Sequence, residues 1–213
     1  MTLQAPEPLT DRHDCTGFDC GRESLDTWLK QRALRNQASG ATRTFVVCDA
    51  GLVAAYYALA ASAVATGLAT GRVRRNMPDP IPVVILARLA VARSHQGQGL
   101  ARALLQDAGR RVLNAADSIG IRALLVHALD QNARVFYEHL GFDPSPLEPM
   151  TLMMTLADVR ASLEPIHARP EADASLATPQ THTRLAQFDA WIAANPPAGS
   201  DLDALAARLG AEE

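Results

Sequence analysis

Leu89-Ala90-Val91-Ala92-Arg93-Ser94-His95-Gln96-Gly97-Gln98-Gly99-Leu100-Ala101 decides how this chain is read. An apolar run, Val83 to Val91, is broken only by Arg88 and has the pattern of a strand buried on both faces. Small residues and two glycines follow. Then Leu104, Leu105, Ala108, Val112, Ala115, Ala116 and Ile119 recur at helical spacing up to Gly120. Strand, glycine turn, helix is an arrangement that bares main-chain N–H groups to an anion, because no side chain obstructs them. The helix start adds unpaired donors and a partial positive charge. The turn is therefore expected to hold a phosphate or diphosphate. It is not a Walker A loop, because no Gly-Lys-Ser/Thr follows, and Arg102 stands where a dinucleotide fingerprint needs its third glycine.

Outward from this turn the chain alternates. Residues 22–38 read as a helix with Leu25, Trp28, Leu29 and Leu34 inward and Gly40 as the stop. Thr44 to Cys48 and Leu52 to Val64 read as a hairpin turned by Asp49-Ala50-Gly51. Arg72 to Pro82 holds three arginines and three prolines and reads as a loop. Arg122 to Ala128 is a strand, Asn132 to Leu140 a helix closed by Gly141, Met150 to Leu156 a last strand, and Asp158 to Leu163 a last helical turn or two. The order predicts an α/β (α+β sandwich) fold with a mixed central sheet flanked by helices.

With 213 residues, 48% hydrophobic and 20% charged, the chain suits one body of about 160 residues plus an appendage. No apolar run approaches a membrane span, and Met1 to Thr10 has neither a basic start nor an apolar stretch, so a cytoplasmic protein is expected. Cys15, Cys20 and Cys48 are odd in number and unspaced for metal, which predicts reduced thiols and no metal site. Residues 1–163 carry 17 Lys+Arg against 15 Asp+Glu, a net +2, and residues 164–213 carry 3 against 8, a net −5, which together give the −3 of the whole chain. An acidic tail could lie on a basic body.

Gln96-x-x-Gly99-x-Ala101 resembles the acetyl-CoA signature of the GNAT acetyltransferase superfamily, and Asn132-Ala133-Arg134-Val135-Phe136-Tyr137-Glu138-His139-Leu140-Gly141-Phe142 resembles its second motif, with Ala133 and Arg134 slightly offset. The resemblance implies the GNAT fold over residues 1–163 and acetyl-CoA as the acyl carrier. It implies contacts from Leu89, Ala90, Val91, Gln96, Gly97, Gln98, Gly99, Leu100, Ala101, Arg102, Asn132 and Phe136. Amides from about Gln98 to Arg102 would hold the pyrophosphate, the Leu89 to Val91 backbone would pair with the pantetheine arm, and Val91 N–H would face the acetyl oxygen. Tyr137 would protonate the leaving thiolate. His95, His127 and Glu138 are possible bases, and none is assigned.

Along the body the chain also resembles a narrower group, the GNAT toxins of bacterial toxin–antitoxin pairs. The carrying residues include Phe18-Asp19-Cys20-Gly21, Tyr56-Tyr57-Ala58-Leu59, Arg75-Asn76-Met77-Pro78, Leu125-Val126-His127-Ala128 and Pro149-Met150-x-Leu152. That group acetylates the α-amine of charged tRNA and so blocks translation, which implies an aminoacyl-tRNA substrate, an antitoxin partner and a homodimer. Arg32, Arg35, Arg72, Arg74 and Arg75 are the candidate tRNA contacts. Other GNAT substrates (a small amine or a protein N-terminus) and a non-catalytic acetyl-CoA-binding module remain as alternatives.

From Glu164 the composition shifts to a proline-punctuated linker, 164–183. Residues 184–213 then give two short amphipathic segments around Asn195-Pro196-Pro197-Ala198-Gly199, and resemble the neutralising C-terminus of a cognate antitoxin. Phe188, Trp191 and Leu205 are the residues expected to dock this helical tail on the body.

Overall fold

The computed structural model describes residues 3–163. The linker and tail, with Phe188, Trp191 and Leu205, lie outside the described residues. The elements in chain order are β1 (Glu7–Pro8), α1 (Glu23–Gln31), α2 (Ala33–Ala38), β2 (Arg43–Asp49), β3 (Leu52–Val64), α3 (Gly71–Arg74), β4 (Ile81–Val91), α4 (Leu100–Ala116), β5 (Ala123–His127), α5 (Gln131–His139), β6 (Asp143–Pro144), β7 (Thr151–Thr155) and α6 (Leu156–Leu163). The strands follow the order β1-β2-β3-β4-β5-β7-β6. No helix among the described residues is long and apolar enough to cross a membrane.

Two compact units divide the described chain: residues 3–62 with 84–108, and residues 63–83 with 109–163. In the first, β2 and β3 form the hairpin that the sequence predicts, in antiparallel register from Arg43↔Leu59 to Asp49↔Leu52 with an irregularity at Val47/Cys48. Ala50 (φ 49°) and Gly51 (φ 85°) both turn left-handed, the conformation whose twist matches the flanking strands. Its core gathers Leu9, Phe18, Leu25, Trp28, Leu29, Val46 and Tyr56. Tyr56 is fully buried, stacks on Trp28 with centroids 5.8 Å apart, meets Phe18 edge-on, and donates its hydroxyl to the Leu25 carbonyl at 2.9 Å. The apolar ring thus brings its own polar handle to a backbone acceptor.

In the second unit β7 pairs antiparallel with β5, from Ala123↔Thr155 to His127↔Thr151, and with β6 on its other edge. Asp158 at the start of α6 is nine-tenths buried, and takes the Thr155 hydroxyl at 2.6 Å and Arg72 of α3 at 2.5 Å. Arg122 then donates to the backbone carbonyls of Val73 (3.1 Å) and Arg72 (2.8 Å), so side chains from two elements fix the short helix α3.

Several expectations need correction. The expected first helix is two helices, broken at Arg32 (φ −120°). The break turns Leu34 outward, 43% exposed, and brings Ala33 into the core instead. Arg72 to Pro82 is not all loop: α3 covers Gly71–Arg74, and β4 already begins at Ile81. Nor is β4 buried on both faces throughout, since Arg88 is exposed and its guanidinium lies 5.6 Å from the Trp28 ring centroid. The long helix ends at Ala116, which leaves Ile119 beyond it and 59% exposed.

Candidate functional site

In the first unit the glycine turn is built from β4 outward. The Ala92 N–H donates to the Ala54 carbonyl (2.8 Å) and the Arg93 N–H to the Asp19 carbonyl (2.9 Å), so the strand end is stapled on both sides. A single 3-10 turn, Arg93–His95, leads into Gln96. The Gln96 amide then donates to the Val91 carbonyl at 2.9 Å and to the Cys20 carbonyl at 3.1 Å. Both of its protons are used within the chain. Gln96, expected to touch the carrier, thus holds the turn through its amide protons.

Gly97 (φ 73°) and Gly99 (φ 75°) stand in the left-handed region. A Cβ on Gly99 would meet nothing within 4 Å, so the glycine answers a backbone demand and faces open space. Helix α4 starts at once with Leu100, and its first turn holds no acidic residue. Helix geometry leaves the first amides of such a helix without intrahelical acceptors. Ala101 and Leu100 are buried and Gln98 is exposed. Amides without intrahelical acceptors, a first turn free of acidic residues and a 17-residue helix behind them fit the diphosphate of a carrier such as acetyl-CoA. Leu89 is half-buried, and Ala90 and Val91 are buried.

In the second unit, Asp130 caps α5 by accepting the Ala133 N–H at 2.8 Å, a cap that the sequence reading missed although Asp is a preferred residue there. Helix α5 carries Asn132 and Phe136, both half-buried, and the buried Tyr137. The Tyr137 ring meets Phe136 (5.2 Å) and Phe142 (5.5 Å) edge-on. No hydrogen bond to its hydroxyl is found among the described residues. Burial alone pushes the phenol well above its usual pKa. The group therefore stays protonated at neutral pH and has a proton to donate.

The three possible bases differ sharply. His95 is buried between the Ser94 hydroxyl (2.8 Å) and the Asp49 carboxylate (3.1 Å), and Glu138 takes Arg134 at 2.9 Å across one helical turn. Both are engaged in structure. His127 is exposed, with Nδ1 2.9 Å from the Thr151 hydroxyl.

Of the arginines, Arg32 and Arg35 are exposed around the α1–α2 break. Arg74 and Arg75 are exposed, while Arg72 is tied to Asp158 and, more loosely, to Asp143 at 3.8 Å. Arg72 and Arg75 line an open cavity of about 430 Å³ with Arg122, which was not among the expected contacts. Arg74 is not part of it.

Burial disfavours the thiolate at all three cysteines. Burial pushes Cys15 up to about 11 and Cys20 up to about 12, and raises Cys48 as well. The ligand atoms of Glu7, His13 and Cys48 lie within 4.8 Å of one another. His13 Nδ1 accepts the Thr10 N–H (2.9 Å), which leaves Nε2 as the protonated nitrogen facing Glu7 (3.1 Å) and without a lone pair for a cation.

The acetyltransferase (GNAT) domain family matches residues 41–144. A tRNA-acetylating toxin of Mycobacterium tuberculosis (strain ATCC 25618 / H37Rv) is 53% identical over 157 residues, covering 74% of this chain and 95% of that protein. Among solved structures, AtaT complexed with acetyl-methionyl-tRNAfMet matches with a TM-score of 0.70 at 31% identity, over 76% of this chain and 100% of the other. A tyrosine-to-phenylalanine mutant of the AtaT toxin, bound to the C-terminus of the antitoxin AtaR and acetyl-CoA, matches with a TM-score of 0.64 at 32% identity, over 76% and 97%.

Proposed function

The chain belongs to the acetyltransferase (GNAT) family, in the branch that holds the tRNA-acetylating toxins, and from that membership we propose that it acetylates the α-amine of aminoacyl-tRNA and so blocks translation. It is an acetyl-CoA-dependent N-acetyltransferase. The observation that carries the substrate is the 53% identity running along 95% of a tRNA-acetylating toxin.

Bound acetyl-CoA supplies an activated acyl carbon and a thiolate leaving group. The amides of Gln98, Gly99, Leu100, Ala101 and Arg102 take its diphosphate at the start of α4, and the Leu89–Val91 backbone takes the pantetheine arm as an added strand. The Val91 N–H donates to the acetyl oxygen as charge gathers there. Asn132 and Phe136 line the carrier, and Tyr137 gives its hydroxyl proton to the departing sulfur. A phenol with a raised pKa gives little to a neutral thioester and most to a developing thiolate, so its effect is concentrated in the transition state.

Exposed Arg32, Arg35, Arg74 and Arg75, with Arg72 in a lesser part, meet tRNA phosphates. Residues 1–163 act as the catalytic body. The protein works in the cytoplasm as a homodimer, and residues 184–213 stand in for the antitoxin C-terminus, with Phe188, Trp191 and Leu205 as its anchors. The AtaT mutant bound to the C-terminus of AtaR supports this tail reading.

The test is transfer from labelled acetyl-CoA to charged tRNA, uncharged tRNA and a polyamine. Charged tRNA alone should be labelled. Labelling of the polyamine alone would replace the reading with a small-amine acetyltransferase, and binding without turnover even after residues 168–213 are removed would replace it with a non-catalytic module. Removing residues 168–213 should raise the rate, and an unchanged rate would refute self-inhibition.

A further inference from the structure

We propose that the open cavity of the second unit is a binding site for a phosphate monoester, whose charge Arg75 and Arg122 neutralise together. The site shares no residue with the glycine turn, and its chemistry holds whether or not the acetyl-transfer reading does.

Three segments meet at the cavity. Arg72 and Arg75 come from α3 and its end, Ile121 and Arg122 from the entry to β5, and Leu156 and Ala157 from the start of α6. All six belong to one compact unit. A volume of about 430 Å³ lies in the range that proteins use for small ligands.

The three arginines are not equivalent. Arg72 is already matched: its Nη2 lies 2.5 Å from Asp158 Oδ1 and its Nη1 3.8 Å from Asp143. The other Asp158 oxygen takes the Thr155 hydroxyl at 2.6 Å. Both carboxylates thus turn to Arg72, and neither lines the cavity. Arg122 is half-buried and donates Nε to the Val73 carbonyl (3.1 Å) and Nη2 to the Arg72 carbonyl (2.8 Å). No carboxylate among the described residues pairs with it. Those two bonds fix the guanidinium plane and leave the Nη1 protons to the cavity side of the fork. Withdrawing a cation from water costs free energy that neutral carbonyls return only in part, and an anion in the cavity supplies the rest. Arg75 is exposed and has no ion pair or hydrogen bond among the described residues.

Two unanswered positive charges match a phosphate monoester, which carries close to two negative charges at neutral pH. A phosphodiester, with one, would leave the second guanidinium unanswered. Planar forks of N–H donors suit phosphate oxygens. The start of α6 adds to them. The Leu156 N–H goes to the Arg122 carbonyl and the Asp158 N–H to the Thr155 hydroxyl, each at 3.3 Å. Ala157 stands between them, exposed and on the cavity wall, where a first-turn amide has no intrahelical acceptor. Ile121 and Leu156 are half-buried and give an apolar wall for a sugar or base. A 5′-phosphorylated nucleoside has this chemistry, either as a free nucleotide or as the 5′ end of a tRNA; the second source rests on the proposed function.

Calorimetry on the full chain, with CoA saturating so that the carrier's place is filled, tests the pocket. 5′-AMP should bind and adenosine should not. Arg75→Ala should weaken 5′-AMP at least about 10-fold, the loss of charge-assisted bonds. Arg74→Ala, on the same helix but outside the cavity, should change it less than about 2-fold, because an exposed charge acting through water is screened. Arg122→Lys keeps the charge and loses the fork, and should also weaken 5′-AMP; if it loosens α3, the Arg75 and Arg74 pair still decides. No binding of 5′-AMP, or equal losses in the Arg74 and Arg75 variants, overturns the pocket. Acetylation of charged tRNA separates the sources. If KM rises when the tRNA 5′-phosphate is removed, and does not rise in Arg75→Ala, the occupant is the tRNA end. Equal KM with 5′-AMP bound keeps the pocket and assigns it to a free nucleotide. Failure to acetylate charged tRNA would strike the substrate assignment, and the 5′-AMP titration would still decide the pocket.

Discussion

Gln96 offers a pair of substitutions that separates holding the turn from touching the carrier. Gln96→Glu keeps the side chain's length and removes both donors, so the carbonyls of Val91 and Cys20 would face a carboxylate in place of an amide. Two neutral hydrogen bonds at about 0.5–1.5 kcal/mol each set a loss of roughly 1–3 kcal/mol, with repulsion added. For a body of this size that is a fall in Tm on the order of 5 °C. Gln96→Arg restores N–H donors at the same place and should recover most of the stability, which gives a physical reason for the Arg/Gln alternation in the signature. The assay is thermal unfolding paired with calorimetric titration of CoA. Glu should lose stability and affinity together, because a loosened turn no longer presents its amides, whereas Arg should bind CoA nearly as the unmutated chain does. If Glu unfolds at the original Tm yet fails to bind CoA, Gln96 touches the carrier directly and the reasoning is refuted.

Tyr137→Phe should cut turnover by at least about 100-fold with CoA affinity and Tm nearly unchanged, since no described residue bonds its hydroxyl; equal turnover would remove its role. Alkaline stability follows from groups whose pKa folding raises: Cys15 to about 11, Cys20 to about 12, with Tyr56 and Tyr137 also pushed up by burial. The unfolded chain gives up these protons first, so the stability they confer is intact below their unfolded values near ~9–10 and is lost as pH rises through the folded ones. Urea midpoints should therefore fall from about pH 9 upward, and a flat profile to pH 11 would contradict the burial of these groups. Arg75→Ala should weaken tRNA binding and leave stability alone. Arg72→Ala should cost roughly 1–3 kcal/mol because it strips Asp158 of its charged partner; the reverse pattern, read by filter binding and denaturation, would exchange their assigned parts.

Much of the fold was legible because local signals agreed with one another. Asp49-Ala50-Gly51 between two β-rich runs set the hairpin, Gly141 closed α5, and the glycines at 97 and 99 marked a turn that only left-handed backbone can make. The errors came where tertiary packing overruled periodicity. Leu34 and Ile119 fit a helical stripe in sequence, yet a break at Arg32 and the end of α4 at Ala116 put both in solvent. Short elements such as β1, β6 and α3 are held by partners distant in sequence, as Arg122 and Asp158 hold α3, and two to four residues carry no period to read.

The site was legible as motif and not as geometry. Tyr137 and the glycine turn follow from the order of residues. That Gln96 bonds carbonyls of its own chain, or that His127 meets Thr151, depends on residues 5 to 76 positions apart, and no local pattern announces it. The division of labour among His95, His127 and Glu138 was open in sequence for the same reason: each is a titratable residue in a plausible place until its partners are known.

The account stands on the α4 turn gripping a diphosphate, and calorimetry of CoA against phosphopantetheine, which ends in a single phosphate, tests that grip directly. The account predicts that CoA binds and that phosphopantetheine, though it keeps the whole arm, binds at least about 100-fold more weakly, the loss of several charge-assisted bonds. Equal affinity for the two would mean the arm alone is recognised and would contradict the turn's assigned part.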